Sequence, residues 1–142
     1  MKQNKDREIF RIIDANLNRS REGLRVCEEI ARFVLNSPSL TRELKAVRHN
    51  ISDVARARSI GQSILSESRD SDRDVGRCSK AASEMSRSRI SDIFSANIER
   101  VKESIRVLEE FYKLIDRKVS VKFSELRFRV YTIEKNAIKR LG

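Results

Sequence analysis

Residues 14–33 read DANLNRSREGLRVCEEIARF, and residues 95–113 repeat that segment without a gap. The identical pairs are Ala15/Ala96, Asn16/Asn97, Arg19/Arg100, Glu22/Glu103, Arg25/Arg106, Val26/Val107, Glu28/Glu109 and Glu29/Glu110. Arg32 and Lys113 also keep the same charge. Chance rarely produces such an ungapped match, so we interpret the chain as an internal duplication.

The first copy has the period of an amphipathic α-helix. At about 100° per residue, its apolar side chains fall on one broad arc that faces the core. They are Ile9, Ile12, Ile13, Leu24, Cys27, Ile30, Ala31 and Val34. The side chains that project from the far side, and that we expect to be solvated, are Asn18, Arg21, Arg25, Glu28 and Arg32.

Three polar positions of each copy lie within the apolar arc or at its edge. These polar ridges are Asn16, Arg19 and Glu22 in the first copy and Asn97, Arg100 and Glu103 in the second. Burial of such groups is costly unless they are paired or face a wet cavity. Each ridge could be a self-satisfied network that fixes helix register, but the duplication favours a shared pocket into which both ridges point.

Length and composition predict one all-α domain over residues 1–142. The chain has 39% hydrophobic and 37% charged residues, but only four Gly and one Pro, which strands and their turns would need in larger numbers. The two cysteines give no disulfide or metal-ligand spacing, which is typical of a cytoplasmic protein with reduced thiols. We recognise no signal segment and no membrane-spanning apolar run.

The net charge of +10 indicates anionic partners, which could be nucleic acid, acidic lipid or small phosphorylated ligands. The absence of Trp and the 6% aromatic content argue against a base-stacking surface. The cations are also interspersed with carboxylates, as on an ordinary solvated surface. A basic nucleic-acid binder is therefore a third-ranked hypothesis, and we expect neither a nucleic-acid nor a membrane partner.

The helical pattern predicts four long helices. The first should span about residues 6–35 and the second should begin at Pro38, after a Ser37 cap, and continue to about residue 66. After a loop at 67–79, the third should span 80–115 and the fourth 121–141. The second hairpin repeats the first, over roughly 6–66 and 80–142, which predicts a four-helix up-down bundle with a ligand site between its helices.

The loop carries three alternating carboxylates, Asp70, Asp72 and Asp74, which are ligands suited to Mg²⁺ or Ca²⁺. A calcium loop of the EF-hand type would need a Gly at its sixth position and a Glu at its twelfth, and this segment has neither. A Mg²⁺ site completed by substrate phosphates and a merely solvated connector both fit these residues.

Arginine is the strongest candidate for phosphate binding. The chain has no phosphate-cradling Gly-rich loop and no nucleophile beside a titrating base, so any phosphate must be held by side chains. The forked guanidinium suits phosphate oxygens. The arginines that could ring a central cavity, with Asn16 and Asn97 as uncharged donors, are Arg19, Arg48, Arg69, Arg100 and Arg127.

Several motifs together resemble one family. They are residues 14–33, 44–49, 69–70, 74–76, Glu84, 97–113 and 126–134. In this order they resemble the monofunctional hydroxymethylpyrimidine phosphate kinases, which are often fused ahead of thiamine phosphate synthase. The resemblance implies an ATP-dependent, Mg²⁺-dependent phosphotransferase of thiamine biosynthesis that makes hydroxymethylpyrimidine diphosphate. No stretch predicts a synthase barrel, so the resemblance implies no synthase activity.

The resemblance also implies residue roles. Asp70 and Asp74 would hold Mg²⁺, and the side chains that neutralise the transferring phosphoryl group would be Arg19, Arg69 and Arg100. The residues that bind the pyrimidine phosphate or ATP would be Asn16, Glu22, Arg48, His49, Gly76, Asn97, Glu103 and Arg127. A noncatalytic adaptor or ligand sensor for a thiamine-biosynthetic enzyme is the alternative. Either could form a homo-oligomer or associate with thiamine phosphate synthase.

Overall fold

The computed structural model describes residues 2–57, 62–77 and 87–142. These ranges contain five α-helices, α1 (Lys2–Phe33), α2 (Pro38–Ala57), α3 (Gln62–Ser68), α4 (Ile90–Tyr112) and α5 (Arg117–Leu141), and a 3₁₀ turn at Ser71–Arg73. No strand occurs in them, which confirms the all-α prediction. Within the same ranges, every helix is too short or too polar to cross a membrane.

The predicted start of the second helix is confirmed. Pro38 is its first residue, and the Ser37 hydroxyl accepts a hydrogen bond from the Leu40 amide at 3.2 Å. Ser37 thereby satisfies one of the amides that a helix leaves without an internal partner. Asn36, which precedes it, has a φ of 50°. Asparagine tolerates this left-handed conformation, so the α1–α2 connection can be tight.

The predicted third and fourth helices have wrong boundaries. Helix α4 begins at Ile90 and ends at Tyr112, not at residue 115, and α5 begins four residues before Val121. The reason at the α4 start is the Asp92 carboxylate, which accepts hydrogen bonds from the amides of Ser88 and Arg89. At the α5 start, the Asp116 carboxylate accepts from the Lys118 amide at 3.0 Å. Residues 80–86 of the predicted third helix and residues 78–79 of the predicted loop lie outside the described ranges.

The predicted second helix is also corrected at its end. Helix α2 is described as far as Ala57 and α3 extends to Ser68, two residues beyond the predicted end. Residues 58–61, with Gly61, lie outside the described ranges, as does Glu84 of the family motifs. Helix α1 continues towards the amino terminus beyond its predicted start at residue 6.

Each of the four long helices packs against two others: α1 against α2 and α4, and α5 against α2 and α4. Helices α1 and α4 approach each other closely at Gly23, where an added Cβ would lie 2.7 Å from Val101 Cγ2 and 3.0 Å from the Asn97 carbonyl oxygen. Glycine is therefore required for this crossing. The up-down direction of the bundle stays a prediction, whereas the crossing brings the two copies of the repeat face to face.

Most of the predicted apolar faces form the core, but Val34, which follows the last residue of α1, is 45% exposed instead of facing the core. Fully buried side chains of all four long helices meet there, including Leu24, Leu44, Val101 and Phe123. Cys27 is buried with them, as its position on the apolar arc predicts. The core thus fixes the α1–α4 pair, and the polar ridges of both helices are placed by that packing.

Candidate functional site

The first of two adjoining cavities lies between α1, α4 and the loop residues Gly76 and Arg77, and we call it the α1–α4 cavity. Its volume is about 540 Å³. The lining residues are Asn16, Arg19, Gly76, Arg77, Arg87, Ala96, Glu99, Arg100, Glu103, Ser104 and Val107. Cationic, carboxylate and apolar groups are therefore combined in a volume typical of small-molecule sites.

The second cavity, here the loop cavity, lies on the other side of Arg19. Its volume is about 730 Å³. The lining residues are Glu8, Arg11, Ile12, Asp14, Ala15, Asn18, Arg19, Glu22, Arg69, Asp70, Ser71 and Asp74. Because Arg19 lines both cavities, the two form neighbouring parts of one groove that runs beside α1.

The predicted shared pocket of the two polar ridges is found only in part: Asn16, Arg19, Arg100 and Glu103 line the α1–α4 cavity, but that cavity is open to the surface. Asn16 is buried and Asn97 is half-buried, but the four charged members of the ridges are exposed: Arg19, Glu22, Arg100 and Glu103. Each asparagine donates a side-chain hydrogen bond to a carbonyl of its own helix, at 2.8 Å to Ile12 or Ile93. The charged members lie at the surface, where Arg19, Arg100 and Glu103 line the α1–α4 cavity and Glu22 lines the loop cavity.

Arg19 and Arg100 are the two predicted arginines that have no carboxylate partner. Neither forms a hydrogen bond or an ion pair with another residue in the described ranges. Both line the α1–α4 cavity, together with Arg77, whose guanidinium pairs with Asp72 at 2.9 Å. Two uncommitted guanidinium groups on facing helices can bind one anion, because each supplies a fork of donors and a fixed positive charge.

Arg48 and Arg127, predicted to grip a phosphate, instead form internal ion pairs. Arg48 donates two hydrogen bonds to Glu28, at 2.8 and 3.2 Å, and these raise the pKa of its guanidinium. Arg127 binds Glu109 in the same way, at 2.6 and 3.4 Å. Neither arginine lines the α1–α4 cavity or the loop cavity. Their guanidinium groups are already used, so both were misplaced by the sequence prediction.

The same pairs correct the expectation that Glu28 is solvated. Glu28 is 6% exposed and its repeat partner Glu109 is 5% exposed. Helix α2 covers Glu28 and brings Arg48 to it, whereas α5 covers Glu109 and brings Arg127. A helical period calculated for α1 alone cannot show that a second helix covers its polar side.

Arg69, the fifth predicted arginine, is bound to α1. It donates two hydrogen bonds to Asp14, at 2.7 and 2.8 Å, which raise the pKa of Arg69. Asp14 is buried, with 3% of its surface exposed. A buried carboxylate with one bidentate partner holds that partner firmly. The pair therefore anchors the start of the segment whose following residues line both cavities.

The carboxylates predicted to hold Mg²⁺ cap the loop backbone. Asp70 accepts a hydrogen bond from the Arg73 amide at 3.3 Å, and Asp74 accepts one from the Gly76 amide at 2.9 Å. Both also line the loop cavity. Among the described residues, no three His, Cys, Asp or Glu side chains are grouped so that they could hold a metal ion. The magnesium role therefore stays a prediction.

The remaining predicted residues separate into two groups. Gly76 and Glu103 line the α1–α4 cavity and Glu22 lines the loop cavity, whereas His49 is exposed on α2 and lines neither cavity. Sequence reasoning did not select the groove residues Arg11, Asp14, Arg77, Arg87 and Glu99. A helical wheel does not group Arg11 and Asp14 with Arg19, because at about 100° per residue Asp14 lies about 140° from Arg19 around α1. Their common place in the loop cavity depends on how the loop packs on α1.

Three relatives illustrate what the chain is similar to. A protein of Rhodopirellula baltica named thiamine-phosphate synthase is 39% identical over 137 residues, which are 96% of this chain and 36% of the relative. Thiamine-phosphate synthases of Synechocystis sp. and Nostoc sp. are 40% and 41% identical, over 94% and 90% of this chain. The chain spans only 37% and 35% of those two relatives. No solved structure matches.

The predicted function, an ATP-dependent kinase for hydroxymethylpyrimidine phosphate, is wrong by this comparison. Relatives that are 35–41% identical over most of this chain are named thiamine-phosphate synthase. The connection to thiamine biosynthesis, in contrast, is confirmed. The model of the ThiD2 family matches residues 11–136. The chain therefore belongs to the ThiD2 family.

Proposed function

We propose that this chain is the helical domain of a thiamine-phosphate-forming enzyme and that its α1–α4 cavity binds a phosphate ester that contains an aminopyrimidine ring, with thiamine phosphate as the representative ligand. The observation that carries the proposal is the pair Arg19 and Arg100. They occupy the same position in the two copies of the repeat, line one cavity and have no carboxylate partner among the described residues. The other predicted arginines are held in ion pairs.

The charges of the cavity suit a ligand of mixed charge. A phosphate monoester is largely dianionic near neutral pH and would pair with the guanidinium groups of Arg19 and Arg100. The thiazolium ring of thiamine phosphate is cationic and would lie beside Glu103, which also lines the cavity. Ala96 and Val107 supply apolar surface for a ring. Inorganic phosphate would use only the arginines and should bind more weakly.

The described groove residues supply positioning and charge and offer no nucleophile with an adjacent base. The role we assign to this domain within a transferase is accordingly to bind and orient the phosphorylated ligand. The relatives' names support a place in thiamine-phosphate formation. We assign the bond-forming chemistry to the part of those relatives that this chain does not match.

Isothermal titration tests the proposal with three ligands: thiamine phosphate, thiamine and inorganic phosphate. A charge-assisted hydrogen bond contributes about 1.5–3 kcal/mol, so Arg19→Gln should weaken thiamine phosphate about 10- to 100-fold and leave thiamine almost unaffected. Arg100→Gln should act in the same direction.

The matched controls are Arg25→Gln and Arg106→Gln. These two arginines also occupy equivalent positions of the repeat, on the same helices, and their side chains are 59% and 58% exposed away from the cavity. Their substitution should leave the affinity unchanged. Equal losses in the control and cavity variants, or equal affinity for thiamine and thiamine phosphate, would refute the proposal.

A further inference from the structure

Helix α5 exposes a row of large apolar side chains on the side away from the core. We call this row the α5 stripe; it consists of Val121, Phe128, Tyr131 and Ile138, each 44–61% exposed. Their spacing places them within an arc of about 100° on one side of the helix, as at the seam of packed helices. Ser124 and the exposed Lys135 also fall within this arc, so the row is mixed, but exposed apolar side chains gathered on one side of a helix are typical of an interaction site.

The stripe is distinct from the core face of the same helix. The core side chains of α5, which include Phe123 and Val130, are fully buried on the opposite side. The two stripe aromatics are 6.4 Å apart between ring centroids. Arg127 lies 5.0 Å from the Phe128 ring and Lys102 lies 4.8 Å from the Tyr131 ring. These cations are themselves bound to carboxylates, so the rings are held in place before any partner arrives.

The charges around the stripe argue against a second copy of this chain as the occupant. The exposed cations of α5 are Arg117, Lys118, Lys122, Arg129, Lys135, Lys139 and Arg140. Glu125 is the one exposed carboxylate of that helix. Two such faces brought together would repel each other, whereas an acidic surface with an apolar strip would complement both the charge and the stripe.

We infer that the α5 stripe is the docking face for the synthase polypeptide of thiamine-phosphate synthase, through an acidic surface of that protein. The inference rests on the proposed function, since it assumes that this chain works together with that enzyme. In the Rhodopirellula baltica relative, the part similar to this chain is 36% of one continuous polypeptide. We assign the α5 stripe to the contact with the remainder of such a polypeptide, because it combines exposed apolar side chains with a cationic surround.

The test uses this chain in full and the thiamine-phosphate synthase of the same organism, purified as its full chain. Sedimentation velocity and isothermal titration measure the complex, with Phe128→Glu and Tyr131→Glu as stripe variants. Phe33→Glu is the matched control, because Phe33 is 63% exposed and Phe128 61%, and Phe33 also lies beside an arginine but off the stripe. Circular dichroism verifies the folding of each variant.

We expect a one-to-one complex that either stripe variant weakens at least tenfold and that Phe33→Glu leaves intact. Its affinity should fall as salt is raised, because the α5 cations contribute to it. The absence of a complex would overturn the inference, as would equal weakening by Phe33→Glu. A homodimer of this chain that Phe128→Glu dissociates would also overturn it, by assigning the stripe to a second copy.

Thiamine phosphate titrations on the same variants separate this inference from the proposed function. Phe128 does not line the α1–α4 cavity, so Phe128→Glu should bind thiamine phosphate normally. Loss of the complex with normal ligand binding supports the docking face. Normal docking without any ligand binding would refute the proposed ligand and leave the docking face supported.

Discussion

Removal of the Arg48 guanidinium should destabilise the fold and leave the ligand groove intact. In Arg48→Met, the Glu28 carboxylate would stay buried without the two hydrogen bonds that it now accepts. Breaking a buried ion pair by removing one partner costs about 3–5 kcal/mol. Arg48 is 20% exposed and Arg25 lies 3.8 Å from Glu28, so water and a second cation can partly compensate the Glu28 charge and reduce the loss of stability. We therefore expect about 2–3 kcal/mol.

Urea unfolding and thermal denaturation measure this change. For a chain of this size, 2–3 kcal/mol corresponds to a decrease in Tm of about 6–12 °C. Arg127→Met should cost a similar amount, because Glu109 and Arg127 repeat the geometry of the first pair. The double variant Glu28→Leu/Arg48→Met should recover most of the stability, since an apolar pair of similar volume leaves no unpaired buried charge.

Two results would refute this reasoning. One is a loss below about 0.5 kcal/mol for Arg48→Met, which is the range of an exposed ion pair. The other is a tenfold loss of thiamine phosphate affinity in a variant of unchanged stability. That combination would return Arg48 to the ligand-binding role predicted from the sequence.

Two further predictions concern buried groups. Asp14→Asn removes the charge that holds Arg69 and should release the loop, which should weaken thiamine phosphate binding about 3- to 10-fold in titration calorimetry. The control is Asp53→Asn, which breaks an exposed ion pair on α2. Burial raises the pKa of the Cys27 thiol from 9.0 to about 12. The folded state therefore binds the thiol proton more tightly than the unfolded state does. The resulting contribution to folding stability is complete below about pH 9 and is lost as the pH rises towards 12. Urea midpoints of the wild type should fall across that range more steeply than those of Cys27→Ala, and parallel curves would contradict the assignment.

Local signals in the sequence were sufficient for the all-α class, the start of α2 and most of the core. Ser37 and Pro38 fixed the start of α2, and the apolar arc of α1 identified Leu24 and Cys27 as buried. These predictions succeed because caps and helical period depend on neighbours within one or two turns. The end of α4 at Tyr112 was missed because the Asp116 cap competes with continuation of the preceding helix.

The pairing of charged side chains could not be read from one helix at a time. Glu28 lies on the far side of the α1 apolar arc, yet α2 covers it and supplies Arg48. Arg19 lies at the edge of the same arc, but within the described ranges its side chain stays exposed. Helix packing between residues far apart in the sequence decides this difference. It determines whether a polar side chain at the edge of an apolar arc forms an internal ion pair or lines an open groove.

The two duplicated halves share their framework ion pairs and differ at the anchor of the loop. The framework pairs Glu28–Arg48 and Glu109–Arg127 are preserved in both halves. The loop anchor is not, because Ser95 stands where the first half has Asp14, and a hydroxyl cannot hold a guanidinium in bidentate fashion.

In the described part of the chain, the Arg69–Asp14 pair therefore anchors the loop to α1, and loop residues 69–71 and 74 line the second cavity on that side. Arg19 consequently borders both cavities, whereas Arg100 borders one. If the asymmetry serves ligand binding, Arg19→Gln must cost more thiamine phosphate affinity than Arg100→Gln. Equal losses would mean that the ligand uses the symmetric part of the groove and that the anchored loop contributes nothing to it.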